Sequence, residues 1–114
     1  MNDIIEMIYD IITAYHLSGN TVYNESIRTI FRGPKKDAPI ALDFKDLYCY
    51  GLRKEIDMAV IDMCVTELIR KQKIMTIKNQ KTSRVHYKPT NIQDAIMRLD
   101  YINKNRAKLI EENY

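Results

Sequence analysis

The stretch that most restricts the fold is residues 57–90, where the apolar pattern changes period without a break. Val60, Ile61, Cys64, Val65, Leu68 and Ile69 recur at steps of three and four, the spacing of a single buried helix face. Asp57 stands where an N-cap is wanted, because its carboxylate can accept an orphan backbone N–H of the first turn. Arg70, Lys71 and Lys73 close the segment and suit the negative end of the helix dipole. From Ile74 the period is two: Ile74, Thr76 and Lys78 face one way, Met75 and Ile77 the other. Asn79, Gln80, Lys81, Thr82 and Ser83 have the composition of a turn, and Val85, His86 and Tyr87 resume the extended pattern up to Pro89. A helix running into a basic hairpin is the core of a winged helix. The expected class is therefore mostly α with a small β-hairpin (α+β), a winged helix-turn-helix with an additional C-terminal helix.

The rest of the chain supplies what such a core needs. Asn2 or Asp3 can cap a first helix reaching about Leu17, and Ile4, Ile5, Ile8, Ile11, Ile12 and Tyr15 give it a broad apolar stripe fit for the core. Ser18, Gly19 and Asn20 stop it. A second helix is expected over residues 21–31, with Val22, Tyr23, Ile27, Ile30 and Phe31 apolar and Gly33 as a C′ residue able to take positive φ. A short third helix is expected from Asp37 or Ala38, Pro39 being tolerated in its first turn. It packs through Ile40, Leu42, Phe44 and Leu47 and ends before Tyr48, Cys49, Tyr50 and Gly51. Asn91 caps a last helix, with Asp94 three places on, and the pattern Ile92, Ala95, Ile96, Leu99, Ile102, Leu109 and Ile110 carries it to the end. The domain reading is residues 1–90 as the winged helix and 91–114 as a helix that packs back on it or pairs with a second copy.

Length and charge narrow the function. A chain of 114 residues holds one domain with a modest core. The net charge of +3 is small, but its distribution is polar. Residues 1–27 carry Asp3, Glu6, Asp10 and Glu25 and no Lys or Arg, whereas residues 68–93 carry Arg70, Lys71, Lys73, Lys78, Lys81, Arg84 and Lys88 and no carboxylate. Arg28, Arg32, Lys35 and Lys36 form a second basic cluster. One part of the molecule repels polyanions and another attracts them, which points to nucleic acid. No run approaches a membrane span and no basic signal-peptide flank opens the chain, so a cytoplasmic location and no membrane partner are expected. Cys49 and Cys64, with His16 and His86, lack the spacing of a zinc site, so neither metal nor cofactor is expected and both thiols read as buried hydrophobes. No nucleophile–base arrangement and no phosphate-loop motif is present, so the chain reads as a non-enzyme.

The order of these segments resembles a known family. Ile-Phe-Arg-Gly ending at Gly33, then Leu-Tyr-Cys-Tyr-Gly-Leu ending at Leu52, then a helix closing on Leu68 and Ile69, then Ile74 opening a short hairpin, resembles the RQC domain. That domain is the winged-helix module on the C-terminal side of RecQ-family DNA helicases, and the resemblance covers about residues 7–90. The helicase motor and its zinc module have no counterpart, so the resemblance implies a free-standing, non-catalytic protein. It implies that Arg32 and Gly33 lie beside a DNA backbone, with Lys35 and Lys36 as further phosphate partners at the start of the third helix. Arg53 and Lys54 follow the Tyr50–Gly51 pair. Arg53 stands where the family commonly has a second glycine, and it adds charge there. On the hairpin, Lys78, Lys81 and Arg84 are the implied phosphate contacts. Several family members carry an aromatic wedge at the hairpin tip. Here the tip is polar, so binding of double-stranded or branched DNA (ends, forks or junctions) without melting is expected. His86 and Tyr87 read as packing residues.

Two other readings stay open. A dimeric, sequence-specific winged-helix regulator would need base-reading side chains, and the expected third helix is poor in Arg, Asn and Gln. A winged helix that binds protein partners would show no DNA binding at moderate salt.

Overall fold

A computed structural model of the chain describes residues 2–33 and 47–113. Among them are α1 (Asn2–Leu17), α2 (Asn24–Arg32), α3 (Met58–Arg70), β1 (Ile74–Lys78), β2 (Val85–Pro89), α4 (Ile92–Lys104) and α5 (Arg106–Asn113). The architecture is mainly helical with one two-stranded antiparallel hairpin, an α+β arrangement. The expected third helix, with Ile40, Leu42 and Phe44, lies outside the described residues, as do Lys35 and Lys36. No helix among the described residues is long and apolar enough to cross a membrane.

The fold is built round α1, which packs against α2, α3, α4 and β2. Its middle is enclosed on all sides, and Met7, Ile8, Asp10, Ile11, Ile12 and Thr13 have almost no exposed surface. Ile8, Ile11 and Ile12 together contribute roughly 5–9 kcal/mol of apolar burial, before chain entropy is charged against it. Ile27, Ile30 and Phe31 of α2 and Ile61, Cys64, Val65 and Leu68 of α3 fill the same core.

Two boundaries differ from the sequence reading. The helix expected from residue 21 begins at Asn24, because Val22 is extended and buried and forms an isolated antiparallel bridge with Tyr87 of β2. The Tyr87 N–H donates to the Val22 carbonyl at 3.2 Å. Ser26 then accepts the Tyr23 N–H on its hydroxyl at 3.1 Å, half of a capping box, and this sets the helix start. The single last helix is in fact two. Asn105 interrupts it, with its backbone N–H and its side-chain amide both donating to the Tyr101 carbonyl at 2.9 and 2.8 Å.

The helix-to-hairpin junction is built as its residues suggest. Asp57 accepts the Ala59 N–H at 3.1 Å and opens α3. At the other end Gln72 takes φ 59, its N–H donates to Ile69 and the Lys73 N–H donates to Leu68, both at 2.9 Å. This pair of bonds is a Schellman motif, closed here by a residue other than glycine. It turns the chain straight into β1, which pairs with β2 in the register Ile74 to Pro89, Thr76 to Tyr87 and Lys78 to Val85. Ile74, Tyr87 and Pro89 are buried at the hairpin root, while Thr76, Lys78 and Val85 further out are exposed.

Candidate nucleic-acid interface

The hairpin tip is a loop held by its own side chains. The Asn79 carbonyl side-chain oxygen accepts the N–H groups of Lys81 and Thr82 at 2.9 and 3.2 Å. The Asn79 N–H donates to Arg84, and the Ser83 N–H returns to the Asn79 carbonyl, both at 2.8 Å. Asn79 thus organises the turn for the reason that makes asparagine common in turns: its amide mimics a backbone unit. Lys78 and Lys81 project from this frame, exposed, and among the described residues neither has a carboxylate partner. Lys73 stands exposed at the root, where its carbonyl accepts the Thr90 N–H at 3.0 Å and closes the hairpin.

Arg84 is placed differently from the two lysines. Its guanidinium carbon lies 3.8 Å from the centre of the Tyr23 ring, and its Nη2 is 3.5 Å from Glu25. His86 meets the same tyrosine edge-on, with ring centroids 6.0 Å apart. Arg84 and His86 therefore hold the outer hairpin against the start of α2. A guanidinium stacked this way still presents N–H groups outward, so the latch and an anion contact are compatible.

The corner of Arg32, Gly33, Arg53 and Lys54 lies at the other end of α2, one helix of nine residues from Tyr23, about 14 Å at 1.5 Å per residue. Its parts do not stand equally free. Gly33 is buried, with φ 76 and ψ −150, and its N–H donates to Thr29 at 3.2 Å. A Cβ on Gly33 would fall 2.8 Å from the Gly51 Cα, so the two glycines mark a close crossing of backbones. Gly51 and Arg53 donate their N–H groups to Ile30 and Phe31 at 2.9 and 3.1 Å, which ties the loop to the end of α2. The Arg53 guanidinium donates to the carbonyls of Leu52 at 3.1 Å and Asn113 at 3.5 Å, so it caps the end of α5. Gly33 and Arg53 thus serve the packing of the corner. Arg32, half-buried, and Lys54, exposed, are its outward cations.

Comparison with protein-family models, with curated proteins and with solved structures finds no match in any of the three.

The exposed side of α3 is chemically mixed. Glu67 accepts from the Arg70 Nε at 2.9 Å and lies 3.7 Å from the Lys71 ammonium. The hydrogen bond from Arg70 holds the Glu67 carboxyl below its usual range. Asp62 accepts from the Asn24 amide, and Met63 beside it is exposed. Arg70 and Lys71 share the one carboxylate of Glu67, so this end of the helix keeps a net positive charge, and Lys73 lies just beyond it.

One polar constellation has no counterpart in the sequence reading. Asp10, buried in the middle of α1, is gripped by both Arg98 of α4 and the hydroxyl of Tyr48. Asp10 and Arg98 are 88 positions apart, so no local spacing joins them. The available signal is Asp10 itself, a carboxylate between the apolar residues Ile8 and Ile11 of a core helix, which must find a partner once buried. The cysteines stand apart from any such chemistry. Cys49 and Cys64 are buried and free, and burial pushes both thiols up, Cys49 further because Asp10 is near. Such thiols are poor nucleophiles. Among the described residues no group of three His, Cys, Asp or Glu side chains is placed to hold a metal ion.

Proposed function

We propose that the chain is a non-catalytic, winged-helix DNA-binding protein of RQC-like type that grips the phosphate backbone through its hairpin. The observation that carries this reading is the tip: Lys78 and Lys81 stand exposed on a loop pre-ordered by Asn79, with Lys73 at the root and no carboxylate between residues 68 and 93. A rigid cationic prong loses little conformational freedom on meeting phosphates and releases counterions from them. The element order supports the winged-helix assignment. Helix, extended rung at Val22, helix, helix and hairpin follow one another, with the rung paired to the returning strand. Arg32 and Lys54 offer a second contact one helix length away.

The polar tip favours binding without strand separation, since Gln80 and Thr82 gain little from stacking on an open base pair. The regulator alternative draws less support, because α3 carries Asp62, exposed, and Glu67, half-buried, where base-reading donors would be needed.

The test is a fluorescence-anisotropy titration on blunt, forked and single-stranded DNA of one sequence, at about 50 and 200 mM salt. Binding should fall steeply with salt, and Lys78→Ala and Lys81→Ala should each reduce the salt slope by about one for every sequence alike. Arg53→Ala should leave the slope unchanged. An absence of binding at the lower salt sinks the reading, and a loss confined to one sequence turns it toward the regulator.

A further inference from the structure

The hairpin has two edges, and the described residues occupy only one. On the β2 side Val22 bridges to Tyr87, whose N–H donates to the Val22 carbonyl at 3.2 Å. Tyr87 thus turns its polar backbone away from β1. Thr76 stands opposite Tyr87 and turns its own away from β2, because opposed residues in an antiparallel pair alternate between bonded and non-bonded. The bonds that close the ladder agree. The Thr90 N–H donates to Lys73 at 3.0 Å and the Asn79 N–H to Arg84 at 2.8 Å, so Lys73, Met75, Ile77 and Asn79 are the residues of this strand that face β2. Thr76 and Lys78 therefore aim their N–H and C=O groups at the outer edge. Both residues are exposed, and among the described residues none bonds to those groups. We propose that this edge of β1 accepts an extended segment of another protein, one in which carboxylates alternate with apolar side chains, as an added strand.

Backbone chemistry selects a polypeptide. The edge offers donors and acceptors in alternation, which another strand matches at a spacing of about 4.8 Å. Phosphate oxygens accept hydrogen bonds and do not donate them, so they answer only half of it. The strand runs along β1 below the tip, and the contact is independent of DNA binding there.

Charge selects which polypeptide. Pairing β1 with β1 of a second copy would lay two hairpins edge to edge, each carrying Lys73, Lys78, Lys81 and Lys88 with no carboxylate between residues 68 and 93. Like charges set opposite one another across a strand pair are destabilising, and a lysine on an exposed edge guards against self-pairing. The ammonium that bars a second copy attracts a strand with a carboxylate opposite it. Met75, 43% exposed, and the half-buried Ile77 lie on the other face of β1 from Thr76 and Lys78. Residues of the incoming strand opposite Met75 and Ile77 are therefore apolar, and those opposite Thr76 and Lys78 are acidic. The alternation of the partner follows from these two faces.

The probe is a labelled octapeptide of alternating Glu and Val, titrated by fluorescence anisotropy against the full chain without DNA, with amide exchange of the chain followed by NMR. Without peptide the Thr76 and Lys78 amides should exchange fast and those of Met75 and Ile77 slowly. With peptide at about ten times its Kd, the Thr76 and Lys78 amides should slow about tenfold. Methylating the backbone nitrogens of the glutamates, which face β1 in this register, should abolish binding, whereas methylating those of the valines should leave it. An octapeptide of alternating Lys and Val should not bind. Thr76→Pro removes an edge N–H and none from the ladder, so that chain should keep its slow Met75 and Ile77 amides and lose the peptide. No binding up to about 1 mM overturns the proposal, as does binding indifferent to glutamate N-methylation, which would be charge attraction alone. A Thr76 amide already slow without peptide shows an edge covered from within, and one that slows as protein concentration rises shows a second copy on it; either result overturns the proposal as well.

Discussion

Arg98 on α4 donates to both oxygens of Asp10 on α1, from Nε at 2.8 Å and from Nη2 at 2.9 Å, while the Tyr48 hydroxyl donates to the second oxygen. The carboxylate has no exposed surface, and the arginine side chain is 23% exposed. Removing one member of a buried pair leaves the other desolvated and uncompensated, a penalty of about 3–5 kcal/mol. Arg98→Ala should therefore destabilise the fold by about that much in urea unfolding, and Arg98→Lys by less, since the charge stays and the two-pronged geometry goes. The double change Asp10→Leu with Arg98→Met should recover most of the loss, because apolar pairs replace buried ion pairs well. A loss under about 1 kcal/mol for Arg98→Ala would mean that water reaches the pair.

Alkaline pH should weaken the fold through groups that the core keeps protonated. Burial raises the Tyr48 hydroxyl and Asp10 raises it further, and burial also raises Tyr9, Tyr15 and Tyr87 and the thiols of Cys49 and Cys64. Each of these groups binds its proton more tightly folded than unfolded. Its contribution is fully present below the unfolded pKa and is lost as pH rises toward the folded value. Stability measured by urea midpoint should thus be flat from these groups near neutrality and fall above about pH 9, by up to about 1.4 kcal/mol per pH unit for each group in play. Tyr48→Phe should make that fall shallower while costing a hydrogen bond at pH 7. Parallel alkaline slopes for the two proteins would remove Tyr48 from the account.

Gly33 and Gly51 should respond unequally to alanine. Gly33 combines φ 76 and ψ −150, a region reserved for glycine, with a Cβ position 2.8 Å from the Gly51 Cα. Strain and overlap together predict a loss of roughly 3 kcal/mol or more for Gly33→Ala. Gly51, at φ 75, has nothing nearer its Cβ position than 3.7 Å, so Gly51→Ala should lose only the strain, about 1–2 kcal/mol. Equal losses in thermal unfolding would count against the close crossing.

Gln72 holds the left-handed position of the motif that ends α3, at φ 59. Glycine adopts that conformation without a Cβ clash, so Gln72→Gly should stabilise the protein by about 0.5–1 kcal/mol. Chemical unfolding measures it, and a destabilised variant would show that the glutamine side chain makes a contribution of its own.

What could be read in advance followed the reach of each interaction. The α3 face, its Asp57 cap and the period change at Ile74 are set by neighbours in sequence, and the helix and hairpin stand where the pattern puts them. Val22 and Tyr23 misled because two apolar residues before a helix fit its face, whereas a one-residue bridge to Tyr87 leaves no period to detect. The apolar positions Leu109 and Ile110 hid the interruption at Asn105 in the same way, since both halves of a broken helix keep the pattern. At the site, the cations of the hairpin tip were legible as a basic run without carboxylates. The division of labour among them was not, because the partners of Arg84 and Arg53, namely Glu25, Tyr23 and Asn113, come from distant parts of the chain.

The rung between Val22 and Tyr87 makes the hairpin a cantilever whose root is clamped from two sides, by the end of α3 and by the connection between α1 and α2. Through β2 the hairpin is tied to the segment that joins the first two helices, so its position is set by the core of the protein and not by its own turn.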